Sequence, residues 1–414
     1  MKRAALCLLL ALLGAPVGAP VARAQPSWFQ FGPFGSNQPA GSSRPIDRPL
    51  VRGGIDDRPY LARAFQAVAL GGYADLLGSY RHEEGVSQGF TFEARRFNLF
   101  VASRIADFVR LMAEVEFAHG AREIDLEMAV VDLLFHHAVS LRAGILLVPV
   151  GRFNLTHDAP RWDVVERPLV STRIIPSTWA DVGAGFFGAL YPGRHRLTYE
   201  VYVINGLGDG LLAGEGTRID AGRAPERFAA DNNGAPSVVG RAAWETPVRA
   251  SFAFSFHTGL YNRFQKDGLA IDRKRFSSLL ALDAEVEAGP VLLRAEAAVA
   301  LVEVPDGMRG THATRQYGLY GEASWRLFRR RIGVFDAATL ALVARVDWID
   351  LFAEPHPLTR DRVGDETARL TAGLSFRPVP VTALRLAYHH DWIIDRFGRT
   401  TREGAVQVGL ATYF

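Results

Sequence analysis

From about residue 65 to its end, the chain alternates apolar and polar residues with a period of two. In the last segment, 403–414, Val406, Val408, Leu410 and Phe414 share one face, and the odd-numbered residues share the other. Segments 108–117, 278–287 and 338–350 repeat the pattern, each with one apolar face and one polar or charged face. Because successive side chains of a strand point to opposite faces, this period predicts β-strands.

The predicted strands are long and even in number. They span roughly 9–13 residues, whereas soluble strands average roughly 5–6 and a tilted membrane strand needs roughly 9–11. The candidates are 16 segments, namely 65–73, 90–104, 108–118, 123–135, 139–148, 182–191, 196–205, 237–245, 249–259, 278–288, 291–303, 314–326, 338–350, 366–376, 381–393 and 403–414.

The connections between these segments alternate between long and short. Long ones are expected at 74–89, 149–181, 206–236, 260–277 and 351–365, and short ones at 106–107, 136–137, 192–194, 246–247 and 289–290. Closure of the sheet leaves no unpaired edge, as a bilayer requires. The pattern therefore predicts an all-β fold, a 16-stranded antiparallel transmembrane β-barrel with long extracellular loops and short periplasmic turns, over residues 65–414.

Two segments precede the predicted barrel. Residues 1–24 combine Lys2 and Arg3, an apolar run from Ala4 to Leu13, and Ala22-Arg23-Ala24 before Gln25. That order is typical of a cleaved signal peptide, so we expect export. Residues 25–64 are rich in Pro, Gly, Ser and Arg and are expected to form a flexible N-terminal segment.

Charge and cysteine content exclude several classes of protein. The 47 basic residues less Lys2, Arg3 and Arg23 leave 44 against 44 acidic residues, a net charge of zero that favours no nucleic-acid partner. The single cysteine, Cys7, lies in the predicted signal peptide, so neither a disulfide framework nor a cysteine zinc site is expected.

Histidines 136–137 and 389–390 are adjacent pairs. The two members of each pair face opposite sides of a strand, so no metal site is predicted. Nucleophile-elbow and phosphate-loop motifs are not found, so we expect neither an enzyme nor a cofactor.

The alternation places many charged residues on the inner face of the predicted barrel. A charged residue on the lipid face at mid-membrane costs about 2–4 kcal/mol for Arg, so these side chains are expected to line the lumen. Lumen arginines attract anions, although ion pairs that only stiffen the wall are an equal alternative. The expected lumen-lining residues are Arg104, Arg110, Glu114, Glu116, Arg142, Arg241, Asp283, Glu285, Arg294, Glu296, Arg345, Asp347, Arg369 and Arg385.

The long connection 149–181 is the candidate constriction loop. Long loops without regular structure are usually functional. Opposed charges in this loop would orient polar solutes by a transverse field, or would instead form internal salt bridges that hold the loop down. The expected constriction residues are Arg152, His157, Asp158, Arg161, Asp163, Glu166, Arg167 and Arg173.

Several short motifs in order resemble the phosphate-selective porin O and P family of Gram-negative outer membranes. The resemblance covers roughly 90–414 and rests on 141–145 through 149–151, 181–183 with Gly188, 197–199 through 205–206, 282–284 with 294–296, 342–347 and 384–388. It implies a 16-stranded homotrimeric channel that prefers anions, with the loop 149–181 folded into the lumen. The terminal Phe414 resembles the signal that the barrel assembly machinery recognises. The chain departs from the family's lysine-rich constriction, since Lys266 and Lys274 are its only lysines after residue 25.

We therefore expect an outer-membrane porin of a Gram-negative cell, a passive diffusion channel for small hydrophilic solutes with an anion (phosphate-like) preference. Its expected partners are outer-membrane lipid and lipopolysaccharide, the barrel assembly machinery and two further copies of the chain. Two alternatives stay open. One is a scaffold barrel that sheathes a partner such as a multihaem cytochrome, and the other is an outer-membrane hydrolase.

Overall fold

The protein is a closed β-barrel. The computed structural model describes residues 49–63, 68–223, 228–231 and 233–414, and within them 16 antiparallel strands form one sheet whose first and last strands pair. The predicted all-β fold, a closed barrel of 16 antiparallel strands, is confirmed. In chain order the barrel strands are β1 (Ala69–Glu83), β2 (Val86–Ala106), β3 (Val109–Ala118), β4 (Glu123–His136), β5 (Val139–Leu147), β6 (Ala180–Leu190), β7 (Arg196–Ile204), β8 (Ser237–Glu245), β9 (Ala250–Leu260), β10 (Phe276–Ala288), β11 (Val291–Val302), β12 (Arg315–Ile332), β13 (Phe335–Asp350), β14 (Glu366–Arg377), β15 (Thr382–Ile394) and β16 (Thr400–Tyr413).

The two faces of the wall have inverted polarity. In β10, Asp283 and Glu285 are buried, whereas Leu280 and Leu282, which precede them on the opposite face, are exposed. Neighbouring strands repeat this arrangement, so the outer surface is an apolar band and the inner face carries the charges. The alternation in the sequence therefore distinguishes residues that face the lumen, which are polar or charged, from residues on the outer surface, which are apolar.

The first hairpin differs from the prediction. A long connection was expected at 74–89, but β1 and β2 continue to a tight turn at Glu84 and Gly85, both of which have positive φ. Gly78 lies inside β1, where it leaves room for the rings of Phe90 and Phe92, whose nearest atoms lie 3.1 and 3.2 Å from where a Cβ would stand. The glycine therefore serves close packing inside a strand.

The connections at the two ends of the barrel are unequal. At one end the strands are joined by the short turns 107–108, 137–138, 191–195, 246–249, 289–290, 333–334 and 378–381. At the other end lie 148–179, 205–236, 261–275, 303–314 and 351–365, with short turns at 84–85, 119–122 and 395–399. Among the described residues, no helix has the length and apolarity that a membrane crossing requires.

The described part of the predicted N-terminal segment is folded. The predicted signal peptide, 1–24, and residues 25–48 lie outside the described residues. Residues 49–63 form two 3-10 turns, Ile55–Asp57 and Pro59–Arg63, and Leu50, Val51, Ile55 and Tyr60 are buried. Residues 49–63 are therefore packed, although a flexible segment was expected there, because their apolar side chains are buried inside the barrel.

Candidate functional site

Two segments fill the lumen. The first is the N-terminal segment, residues 49–63, and the second is the lumen loop, residues 148–179, which contains the helices α1 (Arg152–Leu155) and α2 (Val170–Arg173) and a 3-10 turn at Ala159–Arg161. The 3-10 turn contacts β1, β15 and β16, whereas α2 contacts β11, β12 and β13. The lumen loop therefore crosses the lumen from one side of the wall to the other.

Between the two segments and the wall strands β10–β13 lies a cavity of about 60 Å³. Its charged lining comprises Arg52, Arg152, Arg161, Arg294 and Arg345 against Glu166, Glu285 and Glu322. A larger hollow of about 570 Å³ lies on the outer surface among apolar side chains such as Leu197 and Phe254, and it is not part of the lumen. The small cavity is the candidate site for a polar solute.

Acidic residues of the lumen loop bind the wall. Asp163 accepts hydrogen bonds from Ser324 at 3.0 Å, Ser375 at 3.1 Å and Arg377 at 3.0 Å. Burial opposes the charge of Asp163, but Arg377 and Arg294 outweigh it and lower the pKa of this carboxyl. Nearer to α2, burial is likewise outweighed by Arg95 and Gln407, which lower the pKa of Glu166 to about 2. Both carboxylates therefore stay ionised and hold the lumen loop against the barrel wall.

Arginines of the wall bind the lumen loop in return. Arg345 donates to the backbone oxygen of Glu166 at 2.8 Å and to Asp347 at 2.9 Å. Arg385 donates to the backbone oxygens of Ala159 and Val164, each at 3.1 Å. Arg345 and Arg385, both predicted lumen residues, therefore hold the lumen loop against the wall. This agrees with the alternative in which the lumen arginines have a structural role.

Basic residues of the lumen loop differ in their surroundings. Arg152 donates to Glu285 at 2.9 Å, and Arg161 donates to the hydroxyl of Tyr413 at 2.8 Å. Arg167 is buried, and its burial together with the nearby Arg96 lowers its pKa to about 10. Arg173 is exposed. The eight predicted constriction residues are thus not one cluster, because Arg173 lies apart from the buried groups.

The predicted lumen residues lie on the inner face, and most of the arginines pair with acids of the wall, on the same strand or one or two strands away. The pairs are Arg110 and Arg142 with Asp132, Arg241 with Asp283, Arg294 with Glu285 and Glu322, Arg345 with Asp347, Arg369 with Asp391, and Arg385 with Asp75. Three predicted acids meet other groups, namely Glu114 with Arg58, Glu116 with Arg96, and Glu296 with the backbone N–H of Phe153 and the hydroxyl of Ser171. Arg104 lies at the exposed end of β2.

Sequence reasoning missed the acid in five of these eight arginine–acid pairs, because Asp75, Asp132, Glu322 and Asp391 were not among the expected lumen residues. Asp132, Glu322 and Asp391 lie on the same face as the predicted arginines, and the alternation within β4, β12 and β15 could have placed them there. Arg52 and Arg58 had no such signal, because they belong to the N-terminal segment, which has no strand period.

His157 of the lumen loop lies in a buried acidic cluster. Its Nε2 is 3.5 Å from Oε2 of Glu127 and 3.8 Å from Oδ1 of Asp158. Burial disfavours a charged ring, yet Glu127, Glu114 and Asp158 outweigh it and raise the pKa of His157. The cluster therefore favours positive charge at Nε2.

Comparison of the sequence with known proteins finds a partial match. The sequence matches no protein-family model. It is 28% identical over 159 residues to an uncharacterised protein of Aquifex aeolicus (strain VF5), and the match covers 36% of this chain and 35% of that protein. The chain thus spans about a third of the length of the curated relative that it matches.

Solved structures of outer-membrane proteins share the barrel. The chain is similar to the outer membrane channel DcaP of Acinetobacter baumannii, with a TM-score of 0.54, 12% identity, and coverage of 84% of this chain and 97% of that one. It is also similar to a loop-deletion mutant of OmpT of Vibrio cholerae (TM-score 0.51, 8% identity, 84% and 100% covered). A third similar structure is OmpF of Salmonella typhi with daunomycin (TM-score 0.50, 12% identity, 84% and 98% covered). At these identities the likeness shows a shared porin-like barrel fold.

Proposed function

We propose that this protein is an outer-membrane channel through which small hydrophilic solutes diffuse passively. The observation that carries the proposal is the inverted polarity of the barrel, with apolar side chains outside and a charged wall and folded loop inside. The fold shared with an outer membrane channel supports it. Single-channel recording of the purified full-length protein in a planar bilayer tests the proposal. A stable conductance is expected, and well-folded barrel without conductance would contradict it.

The proposed preference is for small anions. The cavity between the N-terminal segment and the lumen loop has five arginines and three glutamates in its charged lining, an excess of two positive charges (5 − 3 = 2). Guanidinium groups stay charged at any relevant pH and bind phosphate-like groups in a bidentate manner. An anion-signed reversal potential under a KCl gradient, with block by added phosphate, is the expected result.

Replacing Arg152 is expected to weaken the anion preference. Arg152→Ala removes a buried positive charge from the cavity lining, and the ratio of anion to cation permeability should fall about twofold. Arg173→Ala is the matched control, because Arg173 lies in the same loop but is exposed. Reversal potentials of both variants measure the effect. Equal shifts for the two, or no shift for Arg152→Ala, would remove the cavity from the proposed path.

The outer band is proposed to contact lipid. Leu282 is 57% exposed near the middle of β10, so Leu282→Arg is expected to cost about 2–4 kcal/mol of stability in lipid vesicles. Val334→Arg is the matched control in the turn 333–334, where Val334 is 86% exposed and the expected cost is about 0–1 kcal/mol. Urea unfolding in vesicles compares them. Similar small costs for both would place Leu282 in water.

Export and assembly complete the proposal. Cleavage of residues 1–24 would deliver the chain to the outer membrane, and Phe414, which stacks on Phe97 with ring centroids 5.5 Å apart, would serve as the assembly signal. Homotrimer formation and contact with lipopolysaccharide remain predictions of the sequence. The scaffold alternative is disfavoured, since the described residues 49–63 and 148–179 already occupy the space that an enclosed partner protein would need.

A further inference from the structure

A buried group of metal-ligand side chains lies where the lumen loop meets β3 and β4. Glu114 of β3, Glu127 of β4 and His157 of the loop each offer a ligand atom, and these atoms lie within 4.8 Å of one another. His157 and Glu114 are fully buried, and Glu127 is nearly so. Asp158 adds an oxygen 3.8 Å from Nε2 of His157.

The hydrogen bond on the far side of the imidazole orients His157. Its Nδ1 lies 2.8 Å from the backbone oxygen of Asn154, and only a protonated Nδ1 can donate to that carbonyl. In the neutral ring Nε2 then carries a lone pair that points into the cluster. Nε2 has no hydrogen-bond partner among the described residues. Metal-binding histidines commonly have this arrangement, with the second ring N–H donated to a backbone carbonyl.

The carboxylates of the cluster are held from behind. The side-chain amide of Asn98 donates to Glu114 at 2.7 Å and to Glu127 at 3.1 Å, and Arg58 donates to Glu114 at 2.7 Å. Each carboxylate oxygen has two lone pairs, so these bonds leave acceptor capacity toward the centre of the cluster. The supporting bonds orient the ligands as an outer shell does in metal sites.

The donor set and the spacing of the ligand atoms suit a bound cation. The carboxyl groups of Glu114, Glu127 and Asp158 lie around Nε2 of His157, and the guanidinium of Arg58 bonds Glu114 and Asp158. Two ligand atoms bound tetrahedrally at about 2.0–2.2 Å lie about 3.3–3.6 Å apart. The 3.5 Å between Nε2 of His157 and Oε2 of Glu127 agrees with that spacing.

We propose that Glu114, Glu127 and His157 bind a divalent transition-metal ion, with Zn²⁺ as the preferred ion, and that this ion fastens the lumen loop to the barrel wall. One imidazole nitrogen with carboxylate oxygens suits Zn²⁺ better than Mg²⁺ or Ca²⁺, which favour all-oxygen sets. The ligands come from two strands and one loop, so binding would join elements distant in sequence. The site is independent of whether the barrel conducts solutes.

Metal binding by the full-length barrel tests the site. Barrel refolded in detergent with EDTA, and barrel refolded with Zn²⁺ and then passed through a chelating column, are compared by metal analysis. We expect one Zn²⁺ per chain in the second sample. His157→Gln should bind at least about tenfold more weakly. The matched control His195→Gln, in the turn 191–195, should keep full occupancy.

Three further results would decide whether the Zn²⁺ site exists. Wild-type barrel without stoichiometric Zn²⁺ would overturn the site, and the contact of His157 with Glu127 would then be an ion pair of a protonated ring. Equal binding by His157→Gln and wild type would overturn it also. If His157→Gln does not fold, Co²⁺ in the wild-type barrel decides, since an intense tetrahedral absorption supports the site and the weak spectrum of hydrated Co²⁺ contradicts it.

Discussion

A barrel that lacks residues 25–63 is expected to carry several times the single-channel current of the full-length barrel. The N-terminal segment, residues 49–63, occupies the lumen and bonds both the wall and the lumen loop. Arg52 donates to Glu285 at 2.7 Å, Asp56 accepts from Arg110 at 2.9 Å, and Arg58 donates to Asp158 at 2.8 Å. Removing these residues replaces packed side chains with water, which solvates the charges left behind and opens a path for ions.

A shorter deletion is the matched control. A barrel without residues 25–48 keeps the whole N-terminal segment and should conduct like the full-length barrel. Planar-bilayer recording of the three proteins, together with heat-modifiable migration on gels to establish that each barrel is folded, measures the difference. Equal currents for the two deletions would mean that residues 49–63 do not obstruct the path.

The barrel itself was predictable because its signal is local. In β10 and β13 the polarity of each residue indicates whether it faces the lumen or the outer surface. The alternation alone is therefore enough to find the strands and to place Asp283 or Arg345 inside the barrel. Pairing was less accessible, because it depends on register between strands. Arg142 meets Asp132 since the two lie opposite each other in β5 and β4, a relation that neither segment shows alone.

The contents of the lumen were not predictable in the same way. Residues 49–63 have the composition of a linker, and their burial comes from contacts with residues far along the chain, such as Arg52 with Glu285. The loop 148–179 was recognisable by its length, but the wall residues that bind it were not. Asp163 is bound by Ser324, Ser375 and Arg377, which lie on β12 and β14. Such contacts follow from closure of the barrel, and no local pattern records them.

Asp163→Ala is expected to release the middle of the lumen loop while the barrel stays closed. The substitution removes the acceptor of three hydrogen bonds and leaves Arg377, which also donates to the backbone oxygens of Pro160 and Trp162, without its carboxylate. Loss of one partner from a buried ion pair costs about 3–5 kcal/mol. This free-energy cost weakens the attachment of the lumen loop to the wall. The barrel itself is unaffected, because the pairing of β12 and β14 with their neighbours does not involve Asp163.

Loop release should be visible as larger and noisier single-channel currents and as faster proteolysis within 148–179. Asp209→Ala is the matched control, since Asp209 is an exposed acid in the connection 205–236 and its loss should change neither readout. The two variants remove the same charge, so a difference between them isolates the contacts of Asp163 from the change in net charge. If Asp163→Ala resists protease as wild type does, the helices α1 and α2 and the backbone bonds to Arg345 and Arg385 hold the loop without this carboxylate.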